Sequence, residues 1–276
     1  MIPMPTLMTM PVAGGRACGA GLSALVELLL PEHCAACGSP AGFSPWETTG
    51  PRVRGLRPWD RPHLCGDCFA TQFAQPRARL LDGHGRAPDL PVWAAAGTSS
   101  VLTAVVGAWK YHGVRGLGWP LGRALAAVAT TESELPSAAP ATLADVLVPV
   151  PLHSARQRRR GFNQAAMIAE LAGGLAGVVV DHAALRRPRV TAQQARLAGA
   201  DAREANLAGA FAARGSGGGR RALLVDDLVT AGATVRAAAS ALREAGWEVA
   251  GVLALGLAMS RDDGTGADVD TPDADS

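Results

Sequence analysis

Lysine occurs once in this 276-residue chain, at Lys110, and tyrosine once, at Tyr111, while aromatic residues make up only 4% of the whole. Positive charge therefore rests almost entirely on 25 arginines. The scarcity of rings argues against a surface that stacks the bases of a single strand one after another. Long apolar runs are missing too. A membrane-spanning helix needs about 20 apolar residues, and the best candidate, 22–30, contains Glu27 and stops at Pro31. The N-terminus has neither the positive charge nor the cleavage pattern of a secretory signal, so no membrane insertion is expected and the chain is expected to be cytoplasmic.

What is present suits a folded protein. A hydrophobic content of 48% against 18% charged residues is too apolar for a largely disordered chain, and the length allows one or two domains. The net charge of +2 hides an asymmetry. Residues 261–276 hold six aspartates against Arg261, a local charge of −5, so everything before them sums to +7. Guanidinium groups grip phosphate oxygens in pairs, which favours phosphate-bearing partners. The acidic tail has no apolar period and reads as disordered.

Four of the five cysteines stand in two Cys-x-x-Cys knuckles, Cys34/Cys37 and Cys65/Cys68, with 27 residues between them. In a reducing compartment two such knuckles favour a tetrahedral zinc site over disulfides, and Gly38 and Gly66 let the backbone turn around the metal. The alternative is a redox thiol pair, which requires one knuckle opening a helix after a strand; here both are set in segments rich in Pro, Gly and Arg such as 44–62. Four thiolates close the coordination shell, so the expected zinc is structural. Cys18 lies apart, without an assigned role.

The pattern changes at about residue 90. Before it there is little periodicity; after it, short apolar runs alternate with helical stretches. Strands are expected at 92–97, 146–150, 178–180, 222–225 and 249–255. Helices are expected over Val101 to Trp109, over 121–128, over 163–175, and around Val235, Ala238, Ala239 and Leu242 up to Gly246. Alternation of this kind predicts an α/β domain with a mostly parallel sheet over 91–260. Thr131 to Pro140 and Gly215 to Gly219 read as loops, and Trp93, Trp109 and Trp247 as packing residues.

The chemistry concentrates at Val225-Asp226-Asp227-Leu228-Val229-Thr230-Ala231-Gly232-Ala233-Thr234. An apolar strand ends in two acids, and a short turn leads directly into a helix. Ligands of open parallel sheets sit at the carboxyl ends of strands, and amides at a helix start favour an anion. Gly232 permits close approach of backbone, while the hydroxyls of Thr230 and Thr234 can donate to phosphate oxygens. Aspartate and threonine are also common turn and cap residues, but that accounts for one of each and leaves two adjacent, mutually repelling acids. The segment reads as a cradle for a sugar phosphate, with phosphate on the loop and ribose hydroxyls on the acids.

This segment resembles the phosphoribosyl-diphosphate (PRPP) motif of type I phosphoribosyltransferases, with Ala231 where that pattern usually has a second threonine. Val148-Pro149-Val150-Pro151-Leu152-His153, the run Arg156 to Ala165, Lys110-Tyr111-His112-Gly113 and the stretch from Arg189 to Phe211 resemble the ComF competence-protein family, which joins an N-terminal zinc ribbon to a phosphoribosyltransferase domain. The resemblance covers about residues 22–258. It implies a disordered 1–21, a helix plus zinc-ribbon module over 22–90, a phosphoribosyltransferase-like domain over 91–260 and a disordered tail over 261–276.

By position, the resemblance places PRPP on Asp226, Asp227 and Thr230 to Thr234, with the two acids catalytic, a pyrophosphate loop at Pro151, Leu152 and His153, and a closing hood over 189–211. Lys110, Arg156, Arg158, Arg160 and Arg189 become candidates for diphosphate or nucleic-acid contact. A run of arginines is equally suited to a solvated or nucleic-acid-facing patch, and His153 reads as a loop residue rather than a catalyst. The implied activity is transfer of the phosphoribosyl group, with Mg²⁺, to a nitrogen nucleophile. The alternatives are a competence factor acting with single-stranded DNA or the competence helicase machinery, and a PRPP sensor without turnover. No cysteine stands at the N-terminus to act as a glutaminase nucleophile. The acceptor and the oligomeric state have no signature.

Overall fold

The computed structural model describes residues 33–39, 63–81, 89–134, 137–188 and 209–258. The expectations for 1–21, the helix at 22–30, the loop 44–62, Cys18, Arg189 with most of the hood, and the acidic tail lie outside the described residues.

Helix α1 (Gly66–Phe73) opens on the second knuckle and leads into strand β1 (Arg77–Leu81). There follow β2 (Leu90–Gly97), α2 (Ser100–Tyr111), α3 (Gly118–Thr130), β3 (Val146–Pro149), a short α4 (Ser154–Arg160), α5 (Gln164–Ala176) and β4 (Val179–Val180). A two-stranded antiparallel ribbon joins β5 (Leu185–Arg186) to β6 (Ala212–Ala213). The chain then runs through β7 (Arg221–Val229), α6 (Ala233–Glu244) and β8 (Glu248–Leu257). No helix among the described residues is long and apolar enough to cross a membrane.

Six strands form one sheet in the order β1-β2-β8-β7-β3-β4, parallel except for β1, which pairs antiparallel with β2. The mostly parallel α/β sheet expected from the alternating pattern is therefore present. Its central strands are apolar on both faces because helices cover both. Leu223 and Val225 of β7 meet Trp109, Leu121, Leu125, Ile168 and Leu171 on the side of α2, α3 and α5. Ala222 and Leu224 meet Val235, Ala238, Leu242 and Trp247 on the side of α6. Trp93, Trp109 and Trp247 are all buried. One difference concerns β1: residues 77–81, within the segment of little periodicity, extend the sheet at its edge. A five-residue edge strand with one buried side chain, Leu81, leaves no alternating signal to read.

The strand order fixes where a cleft forms. From β7 the chain crosses through α6 to β8 on one side, whereas from β3 it crosses through α5 to β4 on the other. The loops after β3 and β7 diverge to opposite faces at this reversal, and such a point opens a crevice at the carboxyl ends of the strands. Asn163 secures one wall, donating from Nδ2 to the Val150 carbonyl at 3.2 Å while its Oδ1 accepts from the Ala165 amide at 3.1 Å to cap α5.

Helices α3 and α5 approach so closely at Gly122 that an added Cβ would fall 2.5 Å from Leu171 Cβ. Overpacking of this kind costs about 1–3 kcal/mol. Gly122→Ala is therefore expected to lower the melting temperature by several degrees. An unchanged melting temperature would contradict the close approach.

Candidate functional site

Two groups of side chains stand out. The first is the cysteine cluster. The sulfurs of Cys34, Cys37, Cys65 and Cys68 all lie within 4.8 Å of one another, and Cys37 Sγ is 3.9 Å from Cys65 Sγ. A tetrahedron with Zn–S arms of about 2.3 Å has edges of roughly 3.8 Å, so the donor set fits zinc. Backbone amides support it: the Cys65 amide donates to Cys34 Sγ and the Cys68 amide to Cys65 Sγ, both at 3.4 Å. Gly38 turns the first knuckle at φ +72°. Hydrogen bonds with Ser39 draw the Cys37 thiol down to about 6, whereas burial pushes the Cys68 thiol up. Cys34 and Leu64 are buried in the same core as Trp109 and Leu121, so the cluster is part of the packing.

The second group lies at the carboxyl end of β7. Strand β3 pairs with β7 only as far as Pro149 and Val225, and the Val150 amide makes the last bond, 2.9 Å to the Val225 carbonyl. Pro151, without an N–H and with φ fixed, turns the chain out. Strand β7 continues beside β8 to Val229, so Asp226 and Asp227 lie inside a strand whose other flank has no paired strand among the described residues. They do not stand together at a strand end, as the sequence pattern suggests. Side chains alternate across a strand, so the two acids face opposite sides of the sheet.

Each acid has its own surroundings. Asp227 Oδ2 accepts from Lys110 Nζ at 2.9 Å, with both side chains 15% exposed; the single lysine thus reaches the site from the last turn of α2. Asp226 faces the other way. Burial first, and then the charge of Asp227, push its carboxyl up to about 7, while the Asp227 amide, which donates to Asp226 Oδ1 at 2.9 Å, opposes the shift, as do Lys110 and Arg187. Arg187 packs its guanidinium 5.0 Å from the centre of the Phe211 ring. Burial and the like charge of Arg156 depress its basicity, and Asp226 counteracts them. Arg187 thus brings positive charge toward this carboxylate, and Arg156 lies within electrostatic reach of Arg187.

Beyond the acids, Thr230 and Ala231 are exposed and Gly232 is buried. Gly232 caps α6 in the left-handed region at φ +81°, and no side chain caps the helix. Neither threonine serves as the cap, so capping explains neither of them. A side chain at Gly232 would be strained, and its Cβ would fall 2.5 Å from Leu81 Cδ1. Ala233 and Thr234 form the first turn, half-buried.

The remaining expected residues divide. Pro151, Leu152 and His153 form the turn after β3, half-buried, and His153 Nδ1 accepts the Ala155 amide at 3.2 Å as the cap of α4. Arg156, Arg158 and Arg159 are exposed on α4. Arg160 instead packs over Tyr111 at 5.2 Å and donates to Gln164 Oε1 at 3.3 Å. Arg187, Arg79 and Arg236 are not marked by any motif of the sequence. Their contacts are made across the fold or to backbone, and no local spacing signals them.

Comparison with known proteins gives several relatives. The DNA utilization protein YhgH of Salmonella typhi is 30% identical over 217 residues, 75% of this chain and 89% of that protein. Competence protein F of Haemophilus influenzae is 34% identical over 109 residues, 38% of this chain and 47% of that protein. YhgH of Escherichia coli is 40% identical over 93 residues, 34% of this chain and 40% of that protein. No family model matches the chain.

Two outcomes are expected of the site itself. A carboxyl raised in the folded state holds its proton where the unfolded chain has lost it. Its contribution to stability is full below the ordinary aspartate value near 4 and declines as pH rises through about 7. Asp226→Asn removes that decline, so the variant should melt above the parent at pH 8 and near it at pH 4; an equal offset at both would contradict the burial of Asp226. Metal analysis of purified protein should find one zinc per chain, and Cys65→Ser should lose the metal and melt lower. Full thermal stability with the metal stripped would contradict a structural site.

Proposed function

Because the chain belongs to the ComF competence-protein family, we propose that it binds PRPP with Mg²⁺ at the reversal between β3 and β7 and transfers the phosphoribosyl group to a nitrogen nucleophile, releasing diphosphate. The observation that carries this reading is the conjunction of a raised, half-buried Asp226, a cation-paired Asp227 and an α6 that starts on a left-handed glycine with no side-chain cap. Turn and cap roles leave all three unexplained.

The 5-phosphate suits the loop from Thr230 to Thr234, where helix amides favour an anion and two hydroxyls can donate. The ribose hydroxyls suit the acids. A hydroxyl donating to Asp226 favours its charged form, so ligand binding would pull its pKa down and release a proton near neutral pH. Asp227 already has an ammonium partner, which leaves Asp226 as the carboxylate with hard oxygens to offer Mg²⁺. When bound, that ion would neutralise charge on the diphosphate. The diphosphate suits the turn at Pro151 to His153, with Arg187, whose charge reaches Asp226, placed to take up leaving-group charge. Lys110 orients Asp227 and need not touch phosphate. Arg158 is exposed and Arg160 is engaged with Tyr111 and Gln164, so neither is assigned to the diphosphate.

A second reading has its own support. The relatives' names speak of DNA utilization and competence, and the neighbouring Arg158 and Arg159 are exposed on one face of α4. Contact with phosphates of single-stranded DNA would use this face. A PRPP sensor without turnover would use the same acids and loop.

One paired measurement separates these. Asp226→Asn combined with Asp227→Asn should weaken PRPP·Mg²⁺ binding by roughly a hundredfold or more and leave single-stranded DNA binding unchanged. Replacing Arg158 and Arg159 with Gln should do the reverse, lowering the slope of DNA affinity against salt by roughly 0.7 for each phosphate no longer neutralised. PRPP affinity that survives loss of both acids would overturn the proposed site. Diphosphate release on adding candidate amines or bases distinguishes transferase from sensor.

A further inference from the structure

The loop between β7 and α6 is held from outside by two arginines that lie beyond the PRPP-like motif's strand, acids and loop. Arg79 of β1 donates from Nη2 to the Thr230 carbonyl at 2.8 Å and from Nη1 to the Ala258 carbonyl at 3.0 Å. Arg236 of α6 donates from Nη2 to the Ala231 carbonyl at 2.6 Å, and its amide donates to the Gly232 carbonyl at 2.9 Å. Three consecutive carbonyls, at 230, 231 and 232, are thereby engaged. Leu81, two residues beyond Arg79, closes over Gly232 on the same side.

The geometry of the peptide unit makes this consequential. In a trans peptide the C=O and the following N–H point in opposite directions. Holding the carbonyls of Thr230, Ala231 and Gly232 turns the amides of Ala231, Gly232 and Ala233 away from the groups that hold them. Hydrogen bonds from guanidinium also polarise the peptides of Thr230 and Ala231, which strengthens the amides of Ala231 and Gly232 as donors, while the Gly232 carbonyl takes the first backbone bond of α6. The edge strand β1 follows directly from α1, the helix capped by Cys65 and carrying Cys68, so the bracing arginine and the cysteine cluster belong to one stretch of chain.

We infer that Arg79 is a positioning residue: from the edge strand it braces the backbone of residues 230–232 so that their amides are preset to receive a phosphate. This rests on the reading above that the loop receives one. Arg79 does not touch the ligand, and it acts through the Thr230 carbonyl. Lysine, which can donate to one carbonyl but lacks the fork that holds two, should substitute in part.

Full-length Arg79→Met and Arg79→Lys chains test this in two ways. Backbone ¹⁵N relaxation of the ligand-free protein reads the brace directly. In Arg79→Met, order parameters over 230–233 should fall from a rigid value of about 0.85 to below about 0.6 while α5 is unchanged, with Arg79→Lys intermediate. Unchanged order parameters at the loop overturn the brace. Titration with PRPP and Mg²⁺, and separately with ribose 5-phosphate, reads its consequence: about tenfold weaker binding in Arg79→Met, partly restored in Arg79→Lys. Wild-type affinity in Arg79→Met overturns the positioning role. If the parent protein binds neither ligand, the phosphate reading fails, and the order parameters of the loop alone decide whether the brace stands. If Arg79→Met does not fold, Arg79→Lys supplies both measurements.

Discussion

The carboxyl edge of the sheet depends on β7 outrunning β3. Strand β8 keeps β7 hydrogen-bonded to Val229, while β3 stops at Pro149 and its last bond is spent on Val225. From Asp226 onward one flank of β7 therefore has no paired strand among the described residues. The rigid backbone on the other flank holds two acids in fixed, opposite orientations, and delivers the chain to Gly232 at the angle α6 requires. Had β3 continued, its ladder would have filled the space in which a ligand could meet either carboxylate.

Electrostatics then assigns the two faces different roles. On the side of α2, Lys110 and Asp227 form a pair with both side chains mostly buried. Such a pair contributes little net stability relative to apolar packing, but removing one partner is expensive, which makes it an orienting device. On the other side burial and the neighbouring acid raise the Asp226 carboxyl to about 7, and the charge of Arg187 opposes the shift. An acid kept close to its titration point within a cleft is the arrangement expected of a functional group. Stability is given up locally, and the large cores on both sheet faces can absorb that loss.

Much of the fold was legible because periodicity reports burial. Val101, Leu102, Val105, Val106 and Trp109 mark a helical face, and Leu223 to Val225 read as a strand with both sides buried. The cysteine knuckles were legible for a different reason: metal-ligand spacing is local. What stayed hidden was non-local. Asp226 and Asp227 read as two acids at a strand end, because nothing in the segment says that β8 prolongs β7 by four residues. Strand β1 lacks an alternating pattern, and Arg79 reaches a carbonyl 151 positions away. Arg187 stands two residues before Arg189 in an unremarkable run, and only the β5–β6 ribbon brings it against Phe211. The arginine cluster on α4 looked uniform in sequence, yet helical geometry sends Arg160 onto Tyr111 and leaves Arg158 and Arg159 in solvent.

The central claim concerns one place, the reversal between β3 and β7, and one kind of ligand. A crystal structure of the full chain grown with PRPP and Mg²⁺ tests it most directly. The predicted result is a 5-phosphate on the amides of Ala231 to Thr234, ribose hydroxyls on Asp226 or Asp227, and diphosphate beside Pro151 to His153 and Arg187. A ligand bound elsewhere on the chain, or a site that stays empty at saturating PRPP, would contradict it.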